Sequence, residues 1–70
     1  MAVELGNQYK SLSGFGAIWI VRRIITGTGM VPHAVLTQMD DASSVRTISF
    51  SVLEDRQRFM PVIPALTVIR

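Results

Sequence analysis

The chain contains no cysteine and a single histidine among its 70 residues. Without cysteine there is no disulfide, and one histidine cannot build the cysteine and histidine cages that hold structural zinc. The absence of cysteine also excludes a cysteine nucleophile, and it is compatible with a reducing cytoplasm. We therefore expect a fold held together by its hydrophobic core, with no cofactor and no metal.

Charge and long apolar runs are also scarce. Charged residues make up 17% of the chain and the net charge is +2, so the electrostatic field is weak and composition does not demand a nucleic-acid partner. The longest uninterrupted apolar run, residues 17–21, is far shorter than the roughly 20 residues that span a bilayer. The amino-terminal "MAVELGNQYK" carries an acid and lacks the long apolar core of a secretory signal. We expect a soluble cytoplasmic protein with no membrane partner.

Apolar residues are abundant, at 49% of the chain. A chain of this length forms one domain and buries only about 60% of its unfolded surface. The excess apolar surface favours self-association, although a dense single core is the alternative. Residues 1–14 mix Gly, Asn, Gln, Lys and Ser without a sustained period, which predicts a flexible lead-in, whereas residues 15–70 are predicted to form a single small β domain.

The segment "FGAIWIVRRIIT", residues 15–26, predicts the first long strand because it is rich in Ile, Val and Trp. Strict alternation places Trp19 and Arg23 on one face and Ile20 and Arg22 on the other. Both faces are mostly apolar. Such a strand is covered on both sides, bends so that its halves face one core, or lies at an oligomer contact, and the sequence leaves these three alternatives open.

Two more strands are predicted after the glycine-containing loop "TGTGMVP". In "HAVLTQM", residues 33–39, Ala34 and Leu36 alternate with the other side chains, and "DDASS", residues 40–44, has the composition of a turn. The segment "VRTISFSV", residues 45–52, alternates most regularly. It predicts a strand whose apolar set faces the core and whose hydroxyl set faces outward; the apolar set is Ile48, Phe50 and Val52.

The charged run "LEDRQR" predicts a short helical turn near residues 52–58. Ser51 and Glu54 have the spacing of a capping box, and Glu54 precedes Arg58 by four residues, the favourable order for an ion pair. We interpret the run as a turn that joins two strands. In "FMPVIPALTVIR" the strand resumes at residues 59–60, and its two prolines predict an edge position, with a further short strand at residues 66–69.

The order of a three-stranded meander, a helical turn and one or two short strands resembles that of SH3-like small β-barrels. The resemblance covers residues 15–63, with "SVLEDRQRF" in the place of the turn before the last strand. It implies a mainly β fold of about five strands, as a barrel or a strongly bent meander, and a role in binding peptides, proteins or nucleic acids. The aromatic ligand patches of signalling SH3 domains are missing, so no functional residue is carried over.

Signatures of catalysis are absent from the sequence. His33 follows a proline at the start of a strand, where a structural role is the better interpretation. "GTG", residues 27–29, lacks the third glycine and the following helix of a dinucleotide loop, and Asp40 with Asp41 is better explained as turn chemistry than as a metal site. We expect a protein that is not an enzyme.

These observations favour a non-enzymatic interaction module that binds another protein or itself. The alternative is a nucleic-acid-binding β-barrel in which cations contact phosphates and the tryptophan stacks on a base. The predicted strand face joins Trp19 with Arg23, and Arg46 is their cross-strand companion. The favoured alternative is that Trp19 belongs to the core and Arg23 is a rim residue whose stem lies along apolar surface. The nominated macromolecule-binding surface comprises Trp19, Arg23, Arg46, Arg56 and Arg58.

Overall fold

A computed structural model of the chain describes residues 3–13 and 16–62. These residues form five strands and one short helix, which confirms the prediction of a mainly β fold. In chain order the elements are β1 (Gln8–Ser11), β2 (Ile18–Ile25), β3 (His33–Gln38), β4 (Asp41–Ser49), α1 (Phe50–Leu53) and β5 (Phe59–Val62).

The five strands form one open antiparallel sheet in the order β4-β3-β2-β1-β5. β2, β3 and β4 are the predicted meander, and β5 returns to pair with β1. β4 and β5 are therefore the two edges of the sheet within the described residues. The prediction of an edge position for Pro61 is confirmed, because this residue lies in β5, whereas the strand predicted at 66–69 falls outside the described residues.

β1 corrects the expectation that residues 1–14 only lead into the domain. Gln8–Ser11 pair with β2 on one side and β5 on the other, so this segment lies inside the sheet. Tyr9 is 6% exposed, and Val3 before the strand is also buried. Four residues with one large apolar side chain are too short to show an alternating pattern, which is why the sequence did not reveal the strand.

One face of the sheet, called here the core face, carries the hydrophobic core. α1 packs on this face through Leu53, and β3 places Ala34 and Leu36 there with no exposed surface. The alternation predicted that these two residues share a face. Ile48, Phe50 and Val52 pack against the core as partly buried residues. The buried apolar set is Val3, Tyr9, Trp19, Val21, Ala34, Leu36, Leu53 and Phe59.

A β-bulge in β2 breaks the alternation assumed for that strand. Val21 pairs with Leu36 and Arg23 pairs with the adjacent Val35, so two steps along β2 match one step along β3. Val21 faces the core, and Arg23 faces the opposite side with Val35. Residues on both sides of the bulge reach one core, as the bent-strand alternative proposed, because Ile24 packs against it after the bulge.

The helical turn begins earlier than the sequence predicted. Strand β4 ends at Ser49, and this residue, not Ser51, is the N-cap of α1, because its hydroxyl accepts a 3.4 Å hydrogen bond from the Val52 amide. Phe50 and Leu53, three residues apart, then share the helical face that packs on the core. The turn at 39–40 is also tighter than expected, since Asp41 already begins β4.

Candidate functional site

A groove opens on the core face between strands that are distant in the sheet. Its volume is about 350 Å³. Ile48 of β4, Val52 of α1 and Phe59 of β5 supply apolar walls, while Arg46 and Arg58 supply the positive charge. Ser11, Leu12, Ser13 and Gln57 complete the lining.

The guanidinium of Arg46 covers Trp19 at this groove. The Cζ atom of Arg46 lies 5.1 Å from the centre of the indole ring. Leu36 pairs with Arg46 in the β3–β4 ladder, which places the arginine on the core face. Trp19 itself is 6% exposed. The ring is therefore a buried support for Arg46, and it has little surface to offer a stacked base.

Arg58 reaches the groove from the turn that follows α1. That turn is closed by hydrogen bonds from the Arg58 and Phe59 amides to the Asp55 carbonyl, at 2.9 and 3.0 Å. Arg58 Nε lies 3.4 Å from an Asp55 carboxylate oxygen, so Asp55 takes the place predicted for Glu54. Both side chains are well exposed, and a pair of this kind contributes about 0 to 1 kcal/mol. The pair with Asp55 therefore holds Arg58 only weakly.

Two of the nominated arginines, Arg23 and Arg56, do not line the groove with Arg46 and Arg58. The bulge places Arg23 on the opposite side of the sheet from Trp19, which corrects the prediction that these two residues share a face. Arg56 is exposed in the 56–58 turn and does not line the groove. Of the five residues nominated from the sequence, Trp19, Arg46 and Arg58 come together at one end of the core face.

The sequence did not reveal the other walls of the groove. Leu12 follows β1, in the segment that the sequence predicts as a flexible lead-in. Val52 lies in α1, whereas the alternation of residues 45–52 predicts a strand there. These residues meet because β5 returns to β1 and α1 folds onto the core. No local pattern in the sequence encodes that meeting.

Two titratable groups are perturbed near the sheet. Burial raises the pKa of Tyr9 above its usual value, the Glu54 carboxylate raises it further, and the Arg56 guanidinium opposes them. Hydrogen bonds from Ser43, through its hydroxyl and its amide, and from the Ser44 hydroxyl lower the pKa of Asp41. Both shifts follow from the way turns and core packing hold these groups.

The remaining candidates for chemistry occupy structural positions. His33 Nδ1 lies 2.7 Å from the Val31 carbonyl oxygen, which fixes the ring at the start of β3. Within residues 3–13 and 16–62, no three His, Asp or Glu side chains cluster in a way that would hold a metal ion. The same residues include no helix long and apolar enough to cross a membrane.

Comparisons of the chain with protein-family models, with curated proteins and with solved structures give no significant match.

Proposed function

We propose that this protein is a non-enzymatic interaction module that binds a segment of another protein in the groove on the core face. The observation that carries the proposal is the placement of two guanidinium groups, from Arg46 and Arg58, beside apolar walls in one cavity of about 350 Å³. A cavity of this size admits one or two side chains. Its chemistry fits an apolar anchor next to a carboxylate.

The order of elements supports the same class of role. A meander, a helical turn and a returning strand match the order on which the resemblance to SH3-like barrels rests, and such folds mostly bind peptides, proteins or nucleic acids. Binding of a second copy of this chain in the groove is the alternative within this proposal. It predicts a molecular mass that rises with protein concentration.

Nucleic-acid binding is the less well supported candidate. It relied on Trp19 as a stacking platform and on Arg23 beside it. Trp19 is 6% exposed beneath Arg46, and Arg23 lies on the other side of the sheet. Arg46 and Arg58 remain at the groove, and two cations are few for a site that gathers several phosphate contacts.

A selection of random-sequence displayed peptides on the full chain tests the proposal. We expect enriched peptides that combine an apolar residue with Asp or Glu, and we expect them to shift the amide NMR signals of Ile48, Val52 and Phe59. The substitution Arg46→Glu should weaken their binding because it places an acid beside the ligand's carboxylate. Arg22→Glu, the matched charge change on the other side of the sheet, should leave it unchanged.

Two results would overturn the groove as the binding site. The first is a selection that enriches the same peptides on the Arg46→Glu protein. The second is enrichment of peptides that shift amide signals of the protein away from Ile48, Val52 and Phe59. Strong, salt-sensitive shifts of the same signals by a mixed-sequence RNA or DNA oligonucleotide would favour the nucleic-acid alternative instead.

A further inference from the structure

The side of the sheet opposite the core face, called here the outer face, carries apolar residues on four of the five strands, and β1 contributes Gln8 and Lys10. Paired positions Val62, Gln8, Ile20, Thr37 and Val45 form one row that crosses all five strands. Val45 is 56% exposed and Ile20 is partly exposed. α1, the helix among the described residues, packs on the core face instead. The outer face is thus an amphipathic sheet surface without a helix of its own.

The bulge in β2 also concentrates positive charge on this face. Arg23 pairs with Val35 on the outer face, and Arg22, one residue earlier, donates from Nε to the Thr37 hydroxyl at 3.2 Å, so it lies on the same face. Adjacent residues of a regular strand would point to opposite faces. Lys10 of β1 adds a third cation, and all three side chains are exposed.

Within the described residues, no acid forms an ion pair with these cations. Of the five acidic residues of the chain, Glu4 lies before β1, Asp40 lies in the turn before β4, and Glu54 and Asp55 follow α1. Asp41 begins β4 opposite Gln38, and its carboxylate accepts hydrogen bonds from Ser43 and Ser44. The outer face therefore combines apolar and cationic groups without internal neutralisation.

We propose that the outer face docks an acidic amphipathic helix of another protein, with its apolar stripe over Ile20 and Val35 and its carboxylates facing Arg22, Arg23 and Lys10. Five strands spaced about 4.8 Å apart give a surface about 19 Å wide, which accepts one helix of about 10 Å diameter with room for flanking contacts. A sheet with an apolar face is normally covered by a further layer of this kind.

A concavity at one end of the outer face offers room for a terminal side chain of that helix. It has a volume of about 300 Å³ and adjoins the row described above through Gln8 and Val62. Leu5, Gly6 and Asn7 form the rest of its lining, and the Leu5 side chain is 65% exposed. An apolar residue of the docked helix would bury this leucine.

Charge argues against a second copy of the chain as the occupant. In a two-fold interface the same patch meets itself, so Arg22, Arg23 and Lys10 would face their own equivalents with no acid to separate them. Nucleic acid is also disfavoured here, because the aromatic residues of the described segments, Tyr9, Trp19, Phe50 and Phe59, belong to the core and none is available on the outer face for base stacking.

The test uses a synthetic peptide of about 18 residues, long enough for five helical turns, with a leucine stripe flanked by glutamates. Titrated into the full chain, it should shift the amide NMR signals of Ile20, Arg23 and Val35, and the shifts should decrease as salt rises. The double substitution Arg22→Glu and Arg23→Glu should weaken binding by about tenfold, since it replaces two attractions by repulsions. Arg56→Glu, a charge reversal away from both the outer face and the groove, should leave the affinity unchanged.

A peptide with lysines in place of the glutamates is the matched probe, and equal binding of that peptide would overturn the proposal. So would equal weakening by the Arg56→Glu variant, or shifts that map to the groove. Outer-face shifts that appear on concentrating the protein alone would assign the face to a second copy. Tighter binding of anionic lipid vesicles or of an RNA oligonucleotide at the same residues would assign it to those partners and overturn the helix.

The mapping on the unsubstituted chain does not depend on the folding of any variant. The outer face and the groove lie on opposite sides of the sheet, so the two proposals are tested separately. If the helical peptide does not shift the signals of Ile20 and Val35, the groove proposal is unaffected. If the selected peptides do not shift the signals of Ile48 and Val52, the outer-face proposal is unaffected.

Discussion

Arg46 lies across the indole of Trp19, with 5.1 Å between its guanidinium carbon and the ring centre. The two residues come from β4 and β2, which are separated in the sheet by β3. The two long side chains therefore reach across β3 on the core face to make the contact. The contact joins the rim of the groove to the core beneath it.

Replacing Arg46 by alanine should uncover the only tryptophan of the chain. We expect the fluorescence emission of Trp19 to move to longer wavelength because water reaches the ring, and the free energy of unfolding to fall by about 0.5 to 1 kcal/mol, the value of an exposed cation–π contact. Arg23→Ala is the control, because Arg23 lies on the outer face. An equal emission shift in that variant would contradict the bulge.

Substitutions of Ser49, at the end of β4, and of Ser51, in α1, should differ in their effect on stability. Ser49 caps α1, so Ser49→Ala should lower the free energy of unfolding by about 1 kcal/mol in chemical denaturation. Ser51 lies in the first turn and bonds only the Ser49 hydroxyl, at 3.3 Å, so Ser51→Ala should have a smaller effect. A larger loss of stability in Ser51→Ala than in Ser49→Ala would instead support Ser51 as the N-cap, as the sequence predicts.

Leu53 is the point at which α1 is anchored to the sheet. Its side chain has no exposed surface, and Leu53→Ala should cost about 3 kcal/mol through lost burial and the cavity left behind. Val45→Thr, at a position 56% exposed on the outer face, keeps the branched side chain and should change stability by less than about 0.5 kcal/mol. Thermal unfolding followed by circular dichroism measures both variants. Similar losses would show that the core face is not the main source of stability.

The raised pKa of Tyr9 predicts that the free energy of unfolding falls at alkaline pH. Its pKa is raised in the folded state, so between the unfolded value of about 10 and the folded value the native protein holds more protons than the unfolded chain. Its contribution is present below pH 10 and is lost as the pH rises through the folded pKa. Tyr9→Phe should flatten the decline, measured by denaturation at a series of alkaline pH values. A variant that declines as steeply as the parent would exclude Tyr9 as the cause.

The parts of the fold that the sequence revealed are those governed by local chemistry. Ala34 and Leu36 lie two residues apart, so the strand period places them on one face, and both are buried there. Pro61 lacks an amide hydrogen, and its edge position follows from that fact alone. Both inferences needed only a few consecutive residues.

The parts that the sequence missed depend on residues far away in the chain. The bulge exists only in the pairing of β2 with β3, so alternation counted along β2 assigned Arg23 to the wrong face. Ser49 and Ser51 offer equivalent hydroxyls, and the choice between them follows from the packing of Phe50 and Leu53 together on the core. The groove likewise requires segments around residues 12, 46, 52 and 58 to meet.

Because Arg22 is the extra residue of the bulge, the charge of the outer face can change without a change in the core. If Arg22 were deleted, Val21, Arg23 and Ile24 would fall into regular alternation, and both apolar residues would still point to the core. Loss of one codon at this position would therefore remove one cation from the outer face without repacking the interior. Deletion, which usually disrupts a strand, would here turn an irregular strand into a regular one.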